Sequence, residues 1–189
     1  MKSSETERIK ISRPEFKDKE MIYRFFEIVI RDTFEKNGIS ELADSIAEEI
    51  EVKRNYLNQD FSSDGAERFF FIAKDNDKIV GSAEFGQANE TINKCTEGKL
   101  SYLAEVGTVF VHPEYQKKGL GSRLLNAVYN QLEKIGVKEF CLDSGYETAQ
   151  KIWSRKFGKP DYIIKDYWAE NADHMIWKIN LTDVLNNKD

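Results

Sequence analysis

A glycine-rich turn between a strand-like and a helix-like segment constrains the fold of this chain more than any other feature. The segment before it, "VGTVFVHPEY", is rich in β-formers, and "SRLLNAVYNQLEKIG" after it has apolar residues at helical spacing. The turn, "QKKGLG" from Gln116 to Gly121, carries two glycines and two lysines. The start of a helix exposes unpaired N–H groups and carries partial positive charge. The turn is therefore predicted to be an anion-binding site, the anion seat, to which Lys117 and Lys118 add positive charge.

Three known phosphate-binding patterns can be compared with this turn. The P-loop requires Lys followed by Ser or Thr after its last glycine, and the turn has no such pair. The dinucleotide pattern G-x-G-x-x-G fails at its third glycine, where Leu124 stands. The pattern Q/R-x-x-G-x-G/A is satisfied by Gln116, Gly119 and Gly121. The alternative is an ordinary glycine-rich connection. The turn alone does not distinguish this from a phosphate-binding site, so the residues around it are needed.

Length, composition and charge narrow the class of protein. With 189 residues, 40% of them hydrophobic, the chain is predicted to form a single domain over 1-189. No run approaches 18 consecutive apolar residues, and the polar start "MKSSETERIK" does not resemble a secretory signal, so a cytoplasmic protein is expected. A net charge of −5 argues against nucleic acid or an anionic membrane as the main partner. Cys95 and Cys141 match no metal-ligand spacing, and Cys141 is predicted to be a small buried residue.

Periodicity divides the chain into alternating strands and helices around a central sheet, which indicates an α+β fold. Gly107, inside the fourth strand, predicts a bulge or a close approach by another group. The predicted strands are Arg8–Pro14, the two arms of a hairpin that turns at Asp75–Asp77, Leu100–Val111, 137–144, and a final antiparallel pair at 162–168 and 174–180. The predicted helices are Lys19–Phe34, Ser40–Asn58 with Ser40 as N-cap, Gly121–Gly136 and Glu147–Phe157, and Gln87–Lys99 is predicted to be a loop.

The segment "EVGTVFVHPEYQKKGLGSRLLNAV" resembles the pyrophosphate-binding segment of the GNAT superfamily, N-acetyltransferases that use acetyl-CoA. The family's lead-in V-x-P-x-Y/F-Q/R is intact as Val111, Pro113, Tyr115 and Gln116, and "LDSGYETAQKIWSRKFG" resembles a later family segment. The order of predicted elements also resembles that of the family. The resemblance implies a three-layer α/β/α fold with a mixed, mostly antiparallel sheet of about seven strands, about four flanking helices, and fourth and fifth strands that splay apart.

The same resemblance implies acetyl-CoA as co-substrate, with its pantetheine arm between the splayed strands. The edge of the fourth strand would hydrogen-bond this arm, and N–H groups of the turn would hold the pyrophosphate. The implied cofactor-binding residues are Val109, Phe110, Val111, Gln116, Lys117, Lys118, Gly119, Leu120, Gly121 and Ser122.

Acetyl transfer to an amine requires removal of a proton, stabilisation of an oxyanion and accommodation of a thiolate. Glu105 lies eleven residues before Gln116, the spacing at which the lysine-acetylating branch of the family carries its catalytic glutamate. We therefore expect Glu105 to be the general base, with exposure to solvent from an alternating strand as the alternative. Glu84, in the neighbouring strand, is a competing base or amine ligand, although a structural ion pair is the favoured interpretation.

The general acid is less well defined by the resemblance. Many family members place a tyrosine in the helix after the fifth strand, and Trp153 occupies that position here. Because an indole N–H only donates hydrogen bonds, Trp153 is expected to pack rather than to protonate the thiolate. Tyr146, where the family often has asparagine, could reach the sulfur or bind the pantetheine. His112 and His174 are each interpreted as a surface or capping residue, and they form no metal site.

The acceptor is a small-molecule amine or a protein amine. Acidic residues of the second helix would attract a cationic amine, or they form an ordinary solvated face. These residues are Glu41, Asp44, Glu48, Glu49 and Glu51. An exposed final strand pair could support a homodimer. Two other functions would use the same glycine turn. The protein could be a non-catalytic acyl-CoA-binding sensor, or a nucleotide-binding regulatory domain, although the missing Lys-Ser/Thr pair disfavours the latter.

Overall fold

The computed structural model describes residues 8–186, so most of the polar start lies outside the described residues. Seven strands form one mixed sheet in the order β1-β2-β3-β4-β5-β7-β6. The strands are β1 (Lys10–Ser12), β2 (Arg68–Asp75), β3 (Lys78–Gln87), β4 (Ala104–Val111), β5 (Glu139–Ser144), β6 (Tyr162–Ala169) and β7 (Ala172–Asn180). The α-helices in this range are α1 (Lys19–Lys36), α2 (Ala43–Ser63), α3 (Glu90–Cys95), α4 (Leu120–Lys134), α5 (Glu147–Phe157) and α6 (Leu181–Asn186).

The chain divides into two compact units. The first unit extends to Phe85 and resumes over Thr108–Asn130, and the second comprises Gly86–Gly107 and the chain from Gln131 onward. None of the helices within 8–186 is both long enough and apolar enough to cross a lipid bilayer. The α+β class predicted from the sequence is confirmed.

The core of the first unit is built on one face of α1. Six apolar residues of α1 are buried at the three- and four-residue spacing of an amphipathic helix. Among them, Phe26 contacts Phe70 of β2 and Phe110 of β4, with ring centroids 6.1 and 5.9 Å apart. The buried residues of α1 are Ile22, Phe25, Phe26, Val29, Ile30 and Phe34.

The core of the second unit includes α3 and the segment that follows it. Ile92 of α3, Leu100 and Leu103 pack with Cys141 of β5 and Ile176 of β7. The predicted burial of Cys141 is therefore confirmed. This cluster fixes α3 beside β5, which matters for the candidate site.

The predicted loop at Gln87–Lys99 is wrong, because α3 lies within it. A six-residue helix is too short to show helical periodicity, and it is defined instead by its cap, where Asn89 Oδ1 accepts the Ile92 N–H at 2.8 Å. The strand predicted at Leu100–Val111 begins only at Ala104. The apolar residues Leu100 and Leu103 belong to a turn, and they are apolar because they are buried in the core.

The predicted second helix also differs from the structure at both ends. Helix α2 begins at Ala43 and ends at Ser63, with Leu42 rather than Ser40 at the N-cap position. Its last turns are mostly polar, so apolar periodicity does not indicate that they are helical. They are stabilised by buried Asp60, which accepts hydrogen bonds from Arg13 and from the Phe70 N–H. Strand β1 is shorter than predicted, and α6 adds a helix that the sequence did not indicate.

The fourth and fifth strands run parallel but pair only briefly. Ala104 pairs with Phe140 and Glu105 with Cys141. Within the described part of the second unit, β5 continues through Leu142–Ser144 with no further partner on β4. Strand β1 pairs with β2, β5 with β7, and β6 with β7, and each of these pairs is antiparallel. The predicted mixed sheet with splayed fourth and fifth strands is confirmed.

Candidate active site

The glycine turn of the first unit has the backbone geometry of an anion seat. Lys117 and Gly119 both adopt left-handed conformations, with φ of 59° and 80°. Helix α4 begins immediately afterwards at Leu120, a buried residue that anchors the helix start. Residues in the left-handed region can turn neighbouring N–H groups toward one concavity, and the helix start adds positive potential. Lys117 and Lys118 are exposed beside this turn, where each can add a positive charge.

The side chain of Gln116 fixes this turn to its surroundings. Its Nε2 donates to the Val111 carbonyl at the end of β4 at 3.1 Å. Its Oε1 accepts from Lys36 Nζ, in the last turn of α1, at 2.8 Å. Lys36 is in turn held by Asp32 at 2.6 Å. The side-chain amide of Gln116 uses both its donor and its acceptor here, and so links the turn to the end of β4 and to α1.

Strand β4 changes its course at Thr108. This residue has φ of 48°, a left-handed conformation that is strained for a β-branched side chain. The irregularity predicted at Gly107 thus lies at the next residue. Beyond it, Val109, Phe110 and Val111 are half-buried at the end of the strand.

Glu84 is paired inside the first unit. Arg68 Nη1 contacts its two carboxylate oxygens at 3.0 and 2.9 Å, and both side chains are buried. The ring of Tyr56 lies over the Arg68 guanidinium, 3.5 Å from Cζ to the ring centroid. The structural pairing that the sequence favoured for Glu84 is confirmed.

Glu105 lies in the second unit and is only 3% exposed. The alternative that it faces solvent is therefore wrong. Its Oε2 accepts the backbone N–H of Asn89 at 2.8 Å, and its Oε1 accepts from Asn89 Nδ2 at 3.0 Å. Both contacts come from the residue that caps α3, so this short helix determines where the carboxylate points. Such a carboxylate, held at the last residue pair between β4 and β5, can accept a proton.

A chain of hydrogen bonds continues from Asn89 to β7. The same Nδ2 donates to Asp143 Oδ2 at 3.2 Å, and Asp143 Oδ2 contacts His174 Nε2 at 3.0 Å. On its other side, His174 Nδ1 accepts from Trp168 Nε1 at 3.1 Å. His174 is 3% exposed, so its interpretation as a surface or capping residue is wrong. The strand register between β5 and β7, which the sequence does not reveal, brings it against Asp143.

The remaining predicted side chains have simpler positions. Tyr146 stands at the N-cap position of α5, half-buried, and its backbone N–H donates to Ser144 Oγ at 3.1 Å. Trp153 stacks on Phe157 at a centroid distance of 5.8 Å, in keeping with a packing role. His112 caps the 3₁₀ turn at Pro113–Tyr115, as one of its two interpretations predicted.

The sequence reading missed Asn89, Asp143, His174 and Trp168 as possible site residues. One signal was available for Asn89, since Asn followed by Glu is a common helix start and Ile92 lies three residues on. The other three residues come from separate strands, and no local spacing links them.

Comparison with known proteins agrees with this geometry. The family model for the acetyltransferase (GNAT) family matches residues 23–159. No protein with a curated description matches the chain. Among solved structures, a GNAT-family acetyltransferase from Desulfovibrio desulfuricans is similar with a TM-score of 0.69 at 17% identity, covering 92% of this chain and 99% of that one.

Two further solved structures contain the coenzyme. PaiA N-acetyltransferase from Thermoplasma acidophilum, in complex with coenzyme A, has a TM-score of 0.65 at 17% identity, covering 91% of this chain and 98% of that one. An acetyltransferase from Salmonella typhimurium with acetyl-CoA has a TM-score of 0.57 at 15% identity, covering 92% and 94%. At these identities the structures show a shared fold, whereas the family match covers most of the chain. The chain therefore belongs to the acetyltransferase (GNAT) family.

Proposed function

We propose that this protein transfers the acetyl group of acetyl-CoA to a primary amine, with Glu105 as general base. The observation that carries the proposal is the buried carboxylate of Glu105, fixed by two hydrogen bonds from Asn89. It lies in the strand that leads to the anion seat. The family match and the coenzymes bound to the two solved relatives support acetyl-CoA as the donor.

The turn would bind the diphosphate of the coenzyme. The N–H groups from Lys117 through Ser122 supply donors, and the left-handed residues of the turn orient them. Exposed Lys117 and Lys118 supply positive charge that attracts the diphosphate. Val109, Phe110 and Val111 would hydrogen-bond the pantetheine arm through their backbone.

The reaction follows from direct attack of the amine on the thioester. Glu105, through a water molecule, accepts a proton from the substrate ammonium, and the free amine attacks the carbonyl carbon. Backbone N–H groups near Val109 stabilise the tetrahedral oxyanion. The nitrogen of the tetrahedral adduct loses its extra proton to water, the carbon–sulfur bond breaks and the amide forms. The thiolate takes a proton from water, or from Tyr146, which water then reprotonates. No covalent enzyme intermediate is needed.

Replacement of Glu105 tests this mechanism. We expect Glu105→Gln to lower kcat at neutral pH by about 100-fold or more, because a general base contributes factors of this size. The affinity for acetyl-CoA, measured by calorimetry, should stay within about twofold, since the diphosphate seat lies on another element. Thiol release against a panel of primary amines provides the rate.

Glu67→Gln is the matched control, because Glu67 is exposed and outside the proposed site. Turnover of Glu105→Gln equal to that of the control would remove Glu105 from the mechanism. Coenzyme binding without thiol release for every amine tested would instead favour the acyl-CoA-binding sensor.

A further inference from the structure

The side-chain amide of Asn89 connects two carboxylates of the second unit. Its two Nδ2 hydrogens go to Glu105 Oε1 at 3.0 Å and Asp143 Oδ2 at 3.2 Å. Its Oδ1 accepts the Ile92 N–H, which settles the orientation of the amide because only a nitrogen can serve both carboxylates. Asn89 therefore cannot rotate without breaking the cap of α3 and a contact to each carboxylate.

The end of this hydrogen-bond chain farthest from Glu105 is fixed by an N–H group that can only donate a hydrogen bond. The indole N–H of Trp168 only donates, so His174 Nδ1 must present its lone pair to it. The imidazole hydrogen then lies on Nε2 and is donated to Asp143 Oδ2. Trp168 itself lies close against Gly145, where a Cβ would come within 2.3 Å of Nε1. The position of Asp143 is thus determined by β5, β6 and β7 together.

We propose that Asn89, Asp143 and His174 are positioning residues that set the orientation and the proton affinity of Glu105. This inference rests on the proposed function, in which Glu105 is the group that accepts the proton. Two of these groups act in opposite directions on the carboxylate. Hydrogen bonds from Asn89 favour its charged form, whereas the negative charge of Asp143 disfavours it.

The opposite effects of Asn89 and Asp143 on the pKa of Glu105 can be tested. A merely structural role would not move this pKa in opposite directions in two variants. Asn89→Ser keeps a good capping residue but removes both Nδ2 contacts, so the pKa of Glu105 should rise. Asp143→Asn keeps an acceptor for His174 but removes the negative charge, so that pKa should fall. The acidic limb of the pH profile of kcat should move up in the first variant and down in the second, each by about half a unit to one unit.

The titratable groups that face this network, other than Glu105, include Asp143, His174, Tyr167 and the thiols of Cys141 and Cys95. All of them are retained in Asn89→Ser, so its shift reports on the lost amide. In that variant kcat should fall about 10- to 100-fold, since a displaced base loses its alignment, while KM for acetyl-CoA stays within about twofold. Asn93→Ser is the matched control, because Asn93 also lies in α3 and donates from Nδ2, but to the Ala88 carbonyl.

His174 offers a rescue test at the far end. A glutamine amide can reproduce the Nε2 donor toward Asp143, whereas phenylalanine cannot. We expect His174→Gln to retain at least about tenfold more turnover than His174→Phe, with both variants compared at matched thermal stability.

The outcomes separate this inference from the proposed function. Suppose that Glu105→Gln lowers kcat, whereas Asn89→Ser and Asp143→Asn have the same kcat and the same acidic limb of the pH profile as Asn93→Ser. The positioning role is then overturned, but the role of Glu105 as general base is not. Limb shifts of the same sign in the two variants also overturn it. Unchanged turnover in Glu105→Gln overturns the proposed function itself. Should Asn89→Ser fail to fold, Asp143→Asn alone decides by the direction of its shift.

Discussion

The hydroxyl of Thr108 donates to Oε1 of Glu84 at 3.1 Å, inside the first unit. The same carboxylate is held by Arg68, and the Thr108 carbonyl accepts from Ser82 Oγ at 2.9 Å. A strained backbone conformation costs about 1–3 kcal/mol and persists only when surrounding contacts determine it. We infer that this buried polar cluster maintains the left-handed conformation at Thr108, just before the strand segment that we propose binds the pantetheine arm.

Replacement of the Thr108 hydroxyl tests this relationship. Thr108→Val keeps the branched shape but loses the donor, so buried Glu84 loses one hydrogen bond while the strain remains. We expect a loss of about 1–3 kcal/mol in the free energy of unfolding, measured with urea. Thr108→Ser retains a hydroxyl and is the control. Equal stability of the two variants would show that the hydrogen bond does not support the strained conformation.

The glycine turn provides a second test, because its two glycines differ in their backbone conformation. Gly119 has φ of 80°, whereas Gly121 does not have positive φ, and a Cβ there would meet Val111 Cγ2 at an ordinary 3.7 Å. Gly119→Ala should therefore cost about 1–2 kcal/mol of unfolding free energy, and Gly121→Ala much less. Thermal and urea unfolding of both variants give the comparison. A larger loss for Gly121→Ala would contradict the conformation described for the turn.

Strong local patterns explain why much of the fold could be predicted. Helix α1 and the turn at Gln116 are encoded within short stretches, the first by apolar periodicity and the second by glycines at fixed positions. Helix α3 was missed because its six residues are defined by a cap and by burial, and the end of α2 was missed because its buried group is the carboxylate of Asp60.

The residues of the candidate site also differ in whether the sequence could predict them. Glu105 could be predicted as a candidate base because the family resemblance implies a glutamate at this spacing from the turn, within one continuous segment. Its neighbours Asn89, Asp143 and His174 come from three different elements and meet only through tertiary packing. The buried state of His174 depends on the strand register, and a one-residue shift in that register would reverse its side. No rule based on local spacing could have placed these residues together.

The pH response of Asp75 is a third prediction. Arg8 donates to both of its oxygens at 2.7 and 2.8 Å, and Tyr115 donates at 2.9 Å. The hydrogen bonds from Arg8 lower the pKa of Asp75 below its usual 3.8. An acid with a lowered pKa stabilises the folded state above its unfolded pKa, and this contribution is lost as the pH falls through the folded value.

An NMR titration of the Asp75 carboxyl carbon measures this effect. We expect a pKa below 3.8 in the wild type and a rise toward that value in Arg8→Gln. Lys17→Gln is the control, because Lys17 pairs with Glu15. The same carboxyl pKa in the wild type and Arg8→Gln would show that Arg8 does not hold Asp75.

The thiol of Cys141 gives a last prediction close to the candidate site. Burial raises the pKa of Cys141 to about 12, and the nearby charges of Glu105 and Asp143 add to the effect. The thiolate is the reactive form, so native Cys141 should resist alkylation at pH 8.5, whereas half-buried Cys95 should react slowly. A raised pKa stabilises the folded state below the usual value of 9.0, and this contribution is lost as the pH rises toward 12. Mass spectrometry after iodoacetamide treatment should find one modified cysteine in the native protein and two after denaturation in urea. Native labelling of Cys141 as fast as that of Cys95 would contradict its burial between β4 and β7.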